Sequence, residues 1–163
     1  MVELALSLKP ESVCLVPENR KEVTTEGGLD IISNMERSRD AVKAFTDAGI
    51  PTSMFIDPDE KQLEASAQIG SPWVELHTGS FARAWYDESK RVAELDTLRN
   101  GMNFGISLGL RVNAGHGINY DNVEGAKQLE QVYEFNIGHS IISRSIMHGL
   151  AEAVQTMRKL LND

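Results

Sequence analysis

The sequence predicts an α/β fold of the (β/α)8 TIM-barrel type, incomplete, with about five βα units, and three observations carry that prediction. Apolar runs of strand type alternate with helix-like stretches, and the steps between strands are long enough for right-handed parallel crossovers. Polar residues gather where strands end, the side on which barrels of this kind keep their sites. The chain has 163 residues, whereas a closed eight-unit barrel usually takes ~250 and rarely fewer than ~200. It reads as the C-terminal five-eighths of a barrel, a single truncated domain over residues 1–163. An open doubly wound sheet is the alternative.

The elements follow in order. Val2, Leu4, Ala5 and Leu8 have helical spacing that stops at Lys9-Pro10, and Ser12 to Pro17 is a short apolar strand of the kind covered on both faces in parallel sheets. After a polar loop from Glu18 to Asp30, Ser33-Asn-Met-Glu36 has capping-box spacing, and the stripe Met35, Val42, Phe45 ends at Gly49. Thr52 to Ile56 is the next strand. Asp57-Pro-Asp-Glu60 then opens a helix with an acidic cap and proline at its first position, ending at Gly70. Pro72 to Thr78 alternates strictly, placing Trp73, Glu75 and His77 on one side. A long helix from near Asp87 to Leu108, a strand entering Gly115-His-Gly117, a short helix near Asn122 to Leu129, a strand ending in Gly138-His139, and one helix over Ser140 to Leu161 complete the chain.

Composition bounds the function. Hydrophobic residues make up 41% and charged residues 25%, the balance of a globular domain with a sizeable core. The formal charge of −8 and the lack of a Lys/Arg block speak against nucleic acid and anionic lipid as partners. An anionic ligand must therefore be caught by local geometry. Nowhere does the chain approach the ~20 apolar residues of a membrane helix, no basic leader opens it, and a cytoplasmic protein is expected. The one cysteine, Cys14, has no disulfide partner in the chain and reads as a small buried hydrophobe.

Chemistry concentrates in the two Gly-His turns. Gly115 and Gly117 flank His116 and let the backbone approach a ligand closely. A turn histidine bonded to a carbonyl is the bland alternative, and the second Gly-His on the neighbouring strand favours function. Gly138-His139 precedes a helix, whose free N–H groups and dipole suit a phosphate, though a glycine needed only for a tight turn accounts for it equally. Glu75 sits mid-strand, where a carboxylate is costly unless paired with a histidine, a substrate or a core cation. Thr24 and Thr25 beside Gly27-Gly28 offer oxygens to a phosphate or merely shape a loop. Asp57 is accounted for by its cap, and His77 either points into the barrel or is a hydrogen-bonded core residue.

Other chemistries fall away. Tyr120 stands where a dinucleotide fingerprint wants its third glycine, and no Gly-x-x-x-x-Gly-Lys is present. No lysine ends a strand, against a Schiff-base aldolase. His116, His139 and Glu75 lack the close-spaced pair of a metal site, so no metal is expected.

Five strings, Cys14-Leu-Val-Pro-Glu18, Glu22-Val-Thr-Thr-Glu-Gly-Gly-Leu-Asp30, Glu75-Leu-His-Thr-Gly79, Val112-Asn-Ala-Gly-His-Gly117 and Asn136-Ile-Gly-His139, together resemble the pyridoxine 5′-phosphate synthase family along essentially the whole chain. The resemblance implies an oligomeric eight-stranded barrel, here a homo-oligomer, that works without metal or organic cofactor. It implies condensation of two small phosphorylated substrates, 1-deoxy-D-xylulose 5-phosphate and 3-amino-2-oxopropyl phosphate, to pyridoxine 5′-phosphate, phosphate and water. By motif, His116 would be a proton donor and Glu75 would stabilise charged intermediates. Thr24, Gly117, Gly138 and His139 would contact substrate and phosphate.

The family also carries an Asn-x-Asp-His motif, a His-x-Arg segment and an Asn-Leu-Glu-Met motif on strands that would precede this chain. None occurs here, and the histidine and glutamate they hold are the family's principal proton acceptors. Activity of these 163 residues alone is therefore expected to be low or nil. A non-catalytic phosphate-binding or assembly module, or another phosphate-handling barrel enzyme, is the alternative.

Overall fold

The computed structural model describes residues 1–17 and 27–162. Five strands, β1 (Val13–Leu15), β2 (Thr52–Ile56), β3 (Trp73–His77), β4 (Arg111–Gly115) and β5 (Phe135–Asn136), form one sheet. All pairings are parallel and the order is β1-β2-β3-β4-β5. A doubly wound sheet reverses its strand order partway across. The unbroken sequential order is that of a barrel wall, and with β1 and β5 left as edges the sheet is a half-barrel.

Eight helices are described: α1 (Val2–Leu8), α2 (Met35–Asp47), α3 (Glu60–Gln68), α4 (Gly79–Arg83), α5 (Glu88–Ser107), α6 (Val123–Ala126), α7 (His139–His148) and α8 (Leu150–Asn162). No helix among the described residues is long and apolar enough to cross a membrane.

The period-2 alternation of each strand sorts its residues between two environments. Met54, Ile56, Val74, Leu76, Val112 and Ala114 are all buried and join Val42, Leu63, Leu98 and Met102 in the main apolar core. The other face is polar. Phe55 pairs with Glu75, Glu75 with Asn113, His77 with Gly115, and Gly115 with Asn136. Because paired residues on parallel strands point the same way, these side chains share the concave face of the half-barrel, and those at the strand ends share its C-terminal rim.

Local expectations fail where tertiary contacts intervene. The Ser33–Glu36 capping box does not form: a 3-10 turn over Ile32–Asn34 precedes α2, and Asn34 caps without a side-chain bond. Asp30 serves that turn instead, accepting from the Ser33 N–H at 3.1 Å. At α3 the cap is Asp59, which accepts from the N–H groups of Lys61 and Gln62, and Asp57 is released for other use. The short α4 has no sequence signal of its own. The expected helix over Ser140 to Leu161 breaks at Gly149, whose φ of 81° ends α7 before α8 starts. Cys14, expected buried, is exposed on the edge strand.

Candidate active site

Strand β4 delivers His116 to the rim one residue past its end, with a backbone φ of 81°. A residue other than glycine held at positive φ stores on the order of 1–3 kcal/mol and persists only where its surroundings fix it. Thr78, fully buried just past β3, supplies the fixing: its hydroxyl lies 2.8 Å from the Gly115 carbonyl and 2.5 Å from that of His116 and shares its one proton between them. Asn122, also fully buried, closes the turn from the other side. Its side chain accepts from the Asn119 N–H at 2.8 Å and donates to the Gly117 carbonyl at 3.0 Å.

Glu75 stands on β3 with its carboxylate directed at two neighbours. One oxygen accepts from the Asn136 amide at 2.6 Å and from the Cys14 thiol at 3.7 Å. Burial pushes the carboxyl above its ordinary range, against the hydrogen bonds from Asn136 and Cys14 that hold it down. Although Cys14 as a residue is exposed, its sulfur is desolvated beside the Glu75 charge and is pushed up to about 12, so the thiol is a donor and not a nucleophile. Gly115 makes the arrangement possible: a Cβ there would stand 2.2 Å from a Glu75 oxygen and 2.9 Å from the Asn136 carbonyl.

Glu75, His116, Gly117, Asn136, Gly138 and His139 line one cavity of about 440 Å³. Gly138 is the N-cap of α7 and His139 its first residue, so the unpaired N–H groups of that helix's first turn stand at the cavity wall. Of the residues the sequence singled out, five meet here. Thr24 lies outside the described residues. A larger cavity of about 580 Å³ is lined by Asp57, His77, Arg83 and Glu94. We place the candidate site in the smaller one, because a buried carboxyl, an imidazole and a helix N-terminus converge there among the described residues. Among the described residues no group of three or more His, Cys, Asp or Glu side chains is placed to hold a metal ion.

Sequence reasoning passed over Asn136, Thr78 and Asn122 as site residues. Asn136 had a signal, since it lies two residues before Gly138 on an extended stretch. The other two had none: a threonine and an asparagine in turns are commonplace, and their roles rest on carbonyls from another strand or from a turn of positive φ.

Sequential parallel strands, helices on one face and a cavity above the strand C-termini define a protein of the (β/α)-barrel class. The family model described as "Pyridoxal phosphate biosynthesis protein PdxJ" matches residues 1–163, and the chain belongs to that family. It is 53% identical over 162 residues to a pyridoxine 5'-phosphate synthase of Opitutus terrae, covering 99% of this chain and 65% of the relative. Enzymes of the same name from Pseudoalteromonas translucida and Prochlorococcus marinus are 50% and 49% identical over 99% and 100% of the chain, which covers 66% and 65% of their lengths. The chain thus spans about 65% of the length of these relatives.

Proposed function

We propose that this chain supplies the acid and the phosphate corner for pyridoxine 5′-phosphate synthesis in the cytoplasm, the condensation of 1-deoxy-D-xylulose 5-phosphate with 3-amino-2-oxopropyl phosphate. The observation that carries the reading is the convergence of Glu75, His116 and the α7 N-terminus on one 440 Å³ cavity. His116 protonates departing oxygen. Glu75, in a desolvated setting, holds the cationic intermediates that a condensing amine produces. The first-turn N–H groups of α7, with Gly138 and His139, bind one phosphate, and Gly117 and Thr24 contact substrate.

The proton acceptors of this reading belong to the third of the relatives' length that the chain does not span. The test joins this chain to that remaining third of the Opitutus terrae relative and assays both forms for pyridoxine 5′-phosphate and phosphate release. Robust turnover is expected from the extended chain and little from the 163 residues alone. No turnover in the extended chain would sink the proposal.

We also propose that the chain works as a homo-oligomer. Its support is the apolar surface of α7 and the start of α8, where Ile142, Ile146, Met147 and Leu150 are all more than half exposed. Sedimentation velocity of the extended chain is expected to show a dimer or larger species, and a monomer at micromolar concentration would refute this part.

A further inference from the structure

Beside the cavity lies a second pair of titratable groups that the proposed chemistry leaves unused. Asp57, one residue past β2, stands 2.9 Å from Nδ1 of His77, the last residue of β3. His77 is 4% exposed, so this contact is its anchor in the interior. The carboxyl of Asp57 is held below its ordinary range, chiefly by the hydrogen bond from His77. An ionised carboxylate only accepts, so Nδ1 of His77 carries a proton and donates it to Asp57.

The ring so fixed lies against His116. The two imidazole centroids are 4.9 Å apart at 56°, and Phe55 packs on both, 5.3 Å from His77 and 6.3 Å from His116. Nε2 of His77 is buried and meets no hydrogen-bond partner among the described residues. A Cβ on residue 79 would stand 2.4 Å from that nitrogen and 3.2 Å from Cδ2 of His116, so glycine at 79 is what lets both rings occupy the start of α4.

We propose that Asp57 and His77 are a positioning pair for His116: the carboxylate locks the His77 ring, and the locked ring with its negative partner seats the His116 imidazole and favours its protonated form. The inference rests on the assignment of His116 as the acid. Among the described residues the other charged or titratable groups around this cluster are Asp59 at the start of α3, Glu75 on β3, Arg83 on α4, Glu94 on α5 and His139 on α7. Arg83 opposes Asp57, Glu75 adds to it, and neither touches His77 Nδ1 as Asp57 does.

The experiment follows the histidine ring nitrogens by 15N NMR in the 163-residue chain and repeats the pH–rate profile in the extended chain. Asp57→Asn keeps an oxygen that can accept from Nδ1 while removing the charge. Asp59→Asn is the control, removing an equal charge two residues away at a cap where asparagine serves as well. In the unsubstituted chain His77 is expected as the Nδ1–H tautomer. Asp57→Asn is expected to lower the His116 midpoint by roughly half a unit to one unit, as loss of one nearby charge does at protein-surface dielectric, and Asp59→Asn by less than about 0.2. In the extended chain the high-pH limb of kcat/KM moves down with the midpoint, since an acid must be protonated to act.

An Nε2–H tautomer for His77, or equal His116 shifts in the two variants, would overturn the pair. A shift specific to Asp57→Asn in an extended chain without synthase turnover would leave the pair standing and remove the proposed function. Turnover without that shift would do the reverse.

Discussion

Glu75→Gln in the extended chain is expected to lower kcat about 10²- to 10³-fold while making the fold slightly more stable above the ordinary glutamate range. Glutamine is nearly isosteric and its carbonyl oxygen still accepts from Asn136, which stands 2.6 Å from the carboxylate. What it removes is a negative charge in a place that desolvates it. Burial raises the Glu75 pKa in the folded chain, so between the unfolded and folded values the native state binds the extra proton. The sign follows from linkage: stability falls as pH rises through that window, because the unfolded chain ionises first. With glutamine the fall disappears. Urea unfolding at pH values below, within and above the window, paired with turnover at neutral pH, tests both halves. Full activity, or a pH dependence of stability identical to that of the parent chain, would show that the carboxylate is structural.

His116→Asn is expected to reduce kcat by about 10² to 10⁴-fold with stability changed by less than about 1 kcal/mol. Asparagine is among the residues that best tolerate positive φ, so it keeps the 81° turn and the carbonyl that Thr78 bonds while abolishing the acid. His116→Gly gives the complementary result. It loses the same activity but relieves strain of on the order of 1–3 kcal/mol, offset in part by the greater freedom of glycine in the unfolded chain. A variant as inactive as the asparagine form yet equal or higher in melting temperature marks the turn as strained for its chemistry. If either variant retained parental turnover, His116 would not be the acid.

Much of this arrangement was legible in the chain because its signals are local. Apolar runs bounded by glycine and proline place β2 and β3 within a residue of their observed ends, and the strand expected to enter Gly115-His-Gly117 is β4. The alternation in Trp73 to His77 puts Glu75 and His77 on the polar face before any neighbour is known. The two Gly-His strings, followed by helix-type or turn-type residues, mark the C-terminal rim at β4 and β5. Where local and tertiary demands competed, local pattern misled. Asp57 has every feature of a cap, yet Asp59 caps α3 and Asp57 bonds a histidine twenty positions on. The Ser140 to Leu161 stretch is apolar at helical spacing throughout, and one glycine at φ 81° divides it.

Residue order settled the membership of the two faces of each strand, the glycines that free His116 and Glu75 to approach their neighbours, and the family. Which groups touch emerges with the packed fold: Asn136 on Glu75, 61 residues apart, Thr78 on the His116 carbonyl, 38 apart, and Asp57 on His77. The reason is physical. A period of two states which way a side chain points, but strand register alone states what stands opposite it. Register here comes from core packing on the far side of the sheet, where residues such as Met54, Val74 and Val112 interlock with the helices.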